Sequence, residues 1–201
     1  MAMTRRKKVF VALLVALLGF DILLILVVQY WPVWAARYGS PVMRQIILSQ
    51  WVDQDPKLGP LQKRVVIALL YQRTDDPEAR GEALGVINAH LKEDEDEFVR
   101  HLAYVAFTAG NPSDCSMALY GLAKASPKHK ELAVSAFRYH LTDLRSPSKA
   151  DQFKMVPAVV GLARFSVHDA LPTIEALTNH SNTFLAFTAE KAAARLKAAK
   201  N

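Results

Sequence analysis

The sequence predicts an all-α protein: one N-terminal helix of membrane-spanning length, followed by a domain of short, paired helices. Three observations lead to this fold class. Residues 9–28 form an apolar run that contains a single charge. After residue 40, apolar residues recur at helical spacing, and no alternating β pattern persists. Short groups of Pro, Gly, Asp and Ser separate these segments, and such groups end helices and start new ones.

The apolar run defines the first element. At about 1.5 Å of rise per residue, a helix over residues 9–28 is about 30 Å long, which matches the hydrocarbon core of a bilayer. We therefore divide the chain into a basic tail (1–8), a transmembrane anchor (9–28), an interfacial linker (29–40) and a helical domain (41–201). The lipid bilayer is the first expected partner.

Three aromatic residues follow the run directly. Tyr30, Trp31 and Trp34 lie where the anchor would leave the hydrocarbon core. Amphipathic rings of this kind settle at the level of the lipid headgroups. We expect these three side chains to act as interfacial anchors.

Basic residues near the run predict its orientation, because the cytoplasmic side of a span carries the excess of Lys and Arg. Four basic residues occupy positions 5–8, whereas Arg37 and Arg44 follow the run. This favours a single-pass protein of the inner (cytoplasmic) membrane with a cytoplasmic N-terminus. The helical domain would then be periplasmic or otherwise extracytoplasmic; the reverse orientation would place it in the cytoplasm.

A cleaved secretory signal is the alternative to an anchor. Val33-Trp34-Ala35 offers a small residue at cleavage spacing. The apolar region of such signals is usually only about 7–15 residues long. The greater length of this run favours an uncleaved anchor.

Asp21 is the one charge inside the run. A carboxylate in hydrocarbon costs about 2.5–3.5 kcal/mol on insertion scales, so such residues usually face a partner, a cavity or water. Gly19 lies two residues earlier and would permit close approach of another helix. We predict that Gly19 and Asp21 contact another membrane subunit. Protonation of Asp21, local thinning of the bilayer and a proton relay are the alternatives.

Composition excludes several functional classes. The net charge is +6, but the basic tail supplies much of it, and the rest of the chain is mildly basic and mixed. Nucleic-acid surfaces show strong basic clustering, so nucleic acid is not an expected partner. Cys115 is the only cysteine, which excludes an intrachain disulfide and a Cys-rich metal site.

The helical domain contains about nine predicted helices with short connections, so that neighbours should pack antiparallel. Proline follows a cap residue at several of the predicted starts. Trp51, Tyr71 and Tyr104 lie on apolar faces, where we expect core positions. The predicted spans are 41–54, 60–73, 77–91, 95–109, 113–125, 128–144, 149–165, 168–179 and 182–199.

Two stretches of the domain resemble each other. Residues 82–110 and 169–197 share Ala-Leu and Ile positions in their first halves, and Phe98 and Phe184 correspond, with spaced alanines, in their second halves. In this respect the chain resembles the HEAT-like α-helical repeat family. The resemblance implies an α-solenoid, in which stacked helix pairs bury a common core and a curved surface binds another macromolecule.

No motif indicates catalysis, and we expect a non-enzymatic protein without a cofactor or a metal. His90 and His101 near the acidic run could form a metal site built from dispersed residues, which is the enzyme or metalloprotein alternative. A solvated acidic turn that favours the start of a helix is the simpler reading. The run is also a possible docking patch for a basic partner. It consists of Glu93, Asp94, Glu95, Asp96 and Glu97.

These features predict a membrane-anchored accessory or scaffold subunit that binds and stabilises a membrane protein complex. Its expected partners are integral membrane protein subunits. The main alternative is a proton-handling or energy-coupling subunit that uses Asp21. Replacement of Asp21 by Asn distinguishes the two. If Asp21 handles protons, the substitution should abolish activity while the complex still assembles. In a scaffold subunit, it should be tolerated or should weaken assembly.

Overall fold

The computed structural model describes residues 5–53, 57–71, 78–92, 94–142 and 149–199, with side chains from Leu17 onward except those of 149–151. Within these residues there are ten α-helices and no strand, which confirms the predicted all-α class. The helices are α1 (Arg5–Tyr38), α2 (Pro41–Val52), α3 (Pro60–Tyr71), α4 (Glu78–Ala89), α5 (Glu95–Thr108), α6 (Pro112–Lys124), α7 (Lys130–Tyr139), α8 (Lys149–Arg164), α9 (Leu171–Ala176) and α10 (Thr183–Ala198). Short 3₁₀ turns lie at Pro127–His129, His168–Ala170 and Leu177–Asn179.

The turn residues start the helices as the sequence predicts. Ser40, Asn111 and Asn182 are N-cap residues of α2, α6 and α10, and each side chain accepts a hydrogen bond from a backbone N–H of the first turn. Pro41 and Pro112 follow two of these caps, where the missing proline N–H costs no helical hydrogen bond.

The predicted helix ends are less accurate than the starts. The helix predicted for 128–144 ends at Tyr139, because the backbone N–H groups of His140 and Leu141 both turn back to the carbonyl of Arg138. The helix predicted for 168–179 is instead α9 between two 3₁₀ turns.

Helix α1 continues through most of the segment predicted as a linker (29–40). It runs to Tyr38 with Pro32 inside the helix. Ala35 and Ala36 are fully buried, whereas every described side chain from Leu17 to Trp31 is exposed. Residues Leu17–Tyr38 are long and apolar enough to cross a membrane. One helix therefore joins an exposed apolar segment to the core of the domain.

The helices pack in two layers. Helices α1, α3, α5 and α7 contact one another in order and form the first layer. Helices α2, α4, α6, α8 and α10 do the same and form the second layer. Successive helices also pack across the layers as the pairs α1–α2, α3–α4, α5–α6, α7–α8 and α9–α10.

Neighbours within the first layer run parallel. Lys63 near the start of α3 forms an ion pair with Asp94, which directly precedes α5. At the other end, Tyr71 closes α3 and its ring lies 4.6 Å from that of Tyr104 in the later part of α5. The start of α3 therefore lies beside the start of α5, and their ends lie side by side, so the two helices are parallel.

The second layer has the same parallel arrangement. The Ser116 hydroxyl near the start of α6 donates to the Phe153 carbonyl near the start of α8, over 3.0 Å. Arg164 at the end of α8 donates to the carbonyl of Ala123 near the end of α6. Each helix pair consequently repeats the direction of the pair before it.

The core lies between the two layers and consists mainly of Leu, Val, Ile and Ala. Trp51 is buried, as predicted. Tyr71 and Tyr104 are 43% and 46% exposed, so the prediction that they belong to the core is wrong. They lie at the solvent edge of the first layer, where each ring packs on the other and leaves its remaining surface to water.

The two similar stretches do not occupy equivalent places. Residues 82–110 begin in a second-layer helix, α4, whereas residues 169–197 end in one, α10. Phe98 is fully buried, but its counterpart Phe184 is 62% exposed. The matched alanines are buried in both stretches, and they are Ala103, Ala106, Ala189 and Ala192. The similarity therefore reflects close helix packing in both places.

Candidate functional site

The exposed part of α1 carries two residues predicted to contact a partner. Asp21 is exposed, and a Cβ on Gly19 would meet nothing within 4 Å. An α-helix turns about 100° per residue, so residues two positions apart point to nearly opposite sides. One neighbouring helix therefore cannot contact both Gly19 and Asp21. The predicted partner contact therefore requires two separate surfaces of α1, one at Gly19 and one at Asp21.

The predicted interfacial aromatics lie together on one strip of α1. The rings of Trp31 and Trp34 stack with centroids 5.3 Å apart, and the ring of Tyr38 lies 6.1 Å from that of Trp34. Tyr30 precedes Trp34 by one helical turn, and all four side chains are exposed. The geometry suits the headgroup region of a bilayer, and this role stays a prediction.

The exposed segment is joined firmly to the domain. Arg44 of α2 is buried and donates from Nε to the carbonyl of Ala36 (3.1 Å) and from Nη2 to that of Gly39 (3.4 Å). These carbonyls lie at the C-terminal end of α1, where no helical N–H remains to satisfy them. The guanidinium thus caps α1 and fixes its direction relative to α2.

Most carboxylates of the acidic run form ion pairs or hydrogen bonds within the protein. Asp94 pairs with Lys63 of α3. Asp96 lies 2.8 Å from the Lys128 ammonium and 3.0 Å from His129 Nε2, both in the 3₁₀ turn that precedes α7. These pairs connect the starts of α3, α5 and α7. They leave less negative charge for a basic partner than the sequence alone indicates.

Glu95 is bonded most fully in this run. Its carboxylate accepts hydrogen bonds from the backbone N–H and the hydroxyl of Ser126. Partial burial favours the neutral form, but the Ser126 bonds and the nearby His129 and Lys128 outweigh it and hold the pKa of Glu95 below its ordinary value. Glu97 is exposed, and Glu93 lies outside the described residues.

The two histidines considered as metal ligands lie in different layers. His90 is buried, and its Nε2 donates to the carbonyl of Trp51 over 2.6 Å. His101 lies on the first layer, where its Nδ1 is 2.5 Å from the Tyr71 hydroxyl. Among the described residues, no group of three or more His, Cys, Asp and Glu is placed to hold a metal ion.

Cys115 and His140 are close, but their arrangement does not produce a nucleophile. The thiol lies 3.3 Å from His140 Nε2. That nitrogen donates to the carbonyl of Ala106 over 2.7 Å, so it cannot take the thiol proton at the same time. Burial raises the pKa of the Cys115 thiol to about 11. Both side chains donate to the buried backbone carbonyl of Ala106 in the last turn of α5.

The first layer presents a row of exposed aromatic rings at the ends of its helices. Tyr71 packs on Tyr104, and one turn later in α5 Phe107 packs edge-on against Tyr139 of α7, with centroids 5.4 Å apart. The rings pair with each other across the helices. They therefore stabilise the layer as well as lining its surface.

The second layer contains a groove between α6, α8 and α10. It comprises two adjoining cavities of about 440 and 520 Å³ that share Ser116, Tyr120 and Phe153. The polar groups of the lining are neutral, and two of them hold each other: the Asn182 side-chain amide donates to that of Gln152 over 2.7 Å. The groove therefore favours an apolar occupant with few charges.

Among the large apolar residues that line the groove, Phe153 and Phe184 have the largest exposed fractions, at 66% and 62%. Sequence reasoning did not select them. Their signal is their position: Phe153 precedes the buried Met155 by two residues, and Phe184 directly precedes the buried Leu185, so each lies off the core face of its helix. An aromatic residue off the core face is a reason to expect a binding surface.

Comparison of the chain with protein-family models, curated proteins and solved structures gives no match.

Proposed function

We propose that the protein is a single-span, membrane-anchored accessory subunit whose helical array binds and stabilises a membrane protein complex. One observation carries this proposal: the apolar helix α1 is also the first helix of the packed array. A flexible linker would only keep the domain near the membrane. A continuous helix capped by Arg44 instead holds the array at a set position relative to the bilayer.

The same observation argues for an uncleaved anchor. Cleavage at the Val33-Trp34-Ala35 sequence would remove the α1 segment that precedes the domain and would cut within a helix. Ala35 is fully buried in the core. The order and direction of the helix pairs support an α-solenoid of the HEAT-like kind, whose terminal pair contains the anchor. We place the array on the extracytoplasmic side of an inner membrane, from the basic residues at positions 5–8.

We further propose that the groove of α6, α8 and α10 is the docking surface of the array. Aromatic residues in a desolvated pocket supply a large share of binding energy at protein interfaces. Phe153 and Phe184 expose such surface beside a neutral cavity. The occupant that fits is an apolar segment of a partner subunit, held by hydrophobic burial with few ionic contacts.

A second candidate function is proton handling by Asp21. It is favoured by the exposed carboxyl group within an apolar helix. Asp21→Asn should abolish activity of the complex without preventing assembly if Asp21 carries protons. Under the accessory-subunit proposal, the same substitution is tolerated or weakens assembly.

The first experiment is extraction of the tagged full-length protein from native membranes in mild detergent, followed by mass spectrometry. A membrane protein recovered at fixed stoichiometry is the expected result. A lone monomer or homodimer, under conditions that keep other membrane complexes intact, would overturn the proposal.

Matched substitutions then locate the docking surface. Phe153→Asp and Phe184→Asp should release the partner, because each places a charge in the groove. Tyr139→Asp is the control, since Tyr139 is an exposed aromatic residue of the other layer. If only Tyr139→Asp releases the partner, the docking surface is the first layer. Circular dichroism of each variant checks that the array remains folded.

A further inference from the structure

The direction in which Asp21 points can be read from the helix that carries it. Counting about 100° per residue from Asp21, Ala35 lies about 40° to one side and Ala36 about 60° to the other. Both alanines are fully buried, and α1 packs against α2 and α3. Asp21 therefore faces the same side of α1 on which the helical domain lies.

Gly19 and Tyr30 face away from that side. By the same count, Gly19 lies about 160° and Tyr30 about 180° from Asp21. Leu24 and Val28 lie within about 60° of Asp21, whereas Leu23 and Leu26 lie on the far side. All four of these apolar residues are exposed, so neither face is covered by a described part of the chain.

We propose that a transmembrane helix of a second protein packs on the Asp21 face of α1, beneath α2 and α3, and presents an N–H-donating side chain to the Asp21 carboxylate. This rests on the proposed membrane-anchored function. Charge complementarity selects the chemistry of the occupant, because a hydrogen-bond donor or a cation beside a carboxylate in hydrocarbon offsets the cost of its insertion.

The position of the domain argues against a second copy of this chain on that face. Two copies related by a twofold axis would bring their Asp21 carboxylates together, which like charges oppose. Their helical domains would also project toward each other over the same area of membrane, because each domain lies on the Asp21 side. A partner without a domain in this place avoids both conflicts.

Site-specific photo-cross-linking in native membranes tests the proposal. A photoreactive phenylalanine analogue is placed at Leu24 or Val28 on the Asp21 face, and at Leu23 or Leu26 on the far face. We expect one protein to be cross-linked from the first pair and only lipid from the second. Equal cross-linking from both faces, preference for the far face, or a homodimer would overturn the proposal.

Substitutions then test the role of the carboxylate. Asp21→Leu should lower the cross-linking yield from Val28 by about three- to tenfold, the range of one polar contact between membrane helices. Asp21→Asn should retain more of the yield, because an amide still forms a hydrogen bond. Leu26→Ala on the far face, at an exposed residue to which no contact is assigned, is the control and should leave the yield unchanged.

The identity of the donor completes the test. The captured helix should contain Lys, Arg, His, Asn or Gln near the depth of Asp21, and its replacement by Leu should cause no further loss in the Asp21→Leu background. If this replacement lowers the cross-linking yield further in the Asp21→Leu background, the two residues are not paired. If the partner still co-purifies but shows no preference for the Asp21 face, this inference alone fails; if co-purification also fails, the accessory-subunit function fails.

Discussion

At the scale of single residues, Gly161 shows how closely the two helices of one pair approach each other. A Cβ at Gly161 of α8 would overlap the ring of Phe137, which is fully buried in α7. Because a core ring has little room to move, Gly161→Ala should destabilise the protein by about 1–3 kcal/mol.

Gly85 of α4 is the matched control. A Cβ there would meet nothing within 4 Å. Gly85→Ala should therefore stabilise the protein by about 0.5–1 kcal/mol through helix propensity alone. Denaturant unfolding of both variants in detergent measures the two effects. A shift of the same sign for Gly85→Ala and Gly161→Ala would contradict the steric explanation.

Ser166 gives a second prediction at this scale. It has a φ of 52°, in the left-handed region, where it ends α8. The Val167 N–H bonds to the Leu162 carbonyl and the Ser166 N–H to that of Ala163, which together form a Schellman motif. Ser166→Gly should stabilise the protein by about 1 kcal/mol, because Gly adopts this conformation without strain. Ser166→Val should lower the melting temperature, and a fall for both variants would show that the serine side chain has another role.

At the scale of elements, the junction between α1 and α2 depends on Arg44. Arg44→Ala removes a charged donor from one buried and one part-buried carbonyl, so we expect a loss of about 1.5–3 kcal/mol. Limited proteolysis should then cut near Gly39. Arg195→Ala, at the exposed end of α10, is the control. Unchanged stability and proteolysis of Arg44→Ala would mean that the junction does not depend on this cap.

The start of α5 gives a prediction about pH. Because the pKa of Glu95 is lower in the folded protein than its ordinary value of 4.5, its ionised form favours folding. That contribution is complete above the ordinary pKa and is lost as the pH falls through the lowered value. Glu95→Gln should therefore be less stable than the native chain at pH 7, with a smaller difference in acid. The exposed Glu190→Gln is the control; an equal pH dependence for both would contradict the role of Ser126.

At this scale, helix starts can be predicted from the sequence, whereas side-chain exposure cannot. Helix starts follow from local chemistry, because an N-cap such as Asn111 with a following proline is decided within a few residues. Exposure depends on distant packing. Tyr71 has ordinary apolar spacing, yet it is exposed because no neighbouring helix among the described residues covers its side of the layer. The charge partners of Asp94 and Asp96 lie far away in the sequence, on other helical segments. The sequence alone therefore does not show that these carboxylates are already paired within the protein.

At the scale of the whole molecule, the arrangement predicts a topology that the chain's single cysteine makes testable. Cys115 is buried, and its pKa is raised to about 11, so the native chain should react little with a maleimide at pH 7. Maleimide labelling of a cysteine introduced elsewhere can therefore be measured over little labelling of Cys115. Ser181 is exposed in the turn before α10, and Thr4 belongs to the basic tail.

We expect a membrane-impermeant maleimide to label Ser181→Cys on cells whose inner membrane is intact, and to label Thr4→Cys only after that membrane is permeabilised. This expectation follows from the excess of basic residues before α1, because such residues favour the cytoplasmic side of a span. Labelling of Thr4→Cys alone would reverse the orientation and move the docking groove to the cytoplasm. Labelling of both in intact cells would mean that α1 does not cross the membrane, so that Asp21 would need no partner within a bilayer.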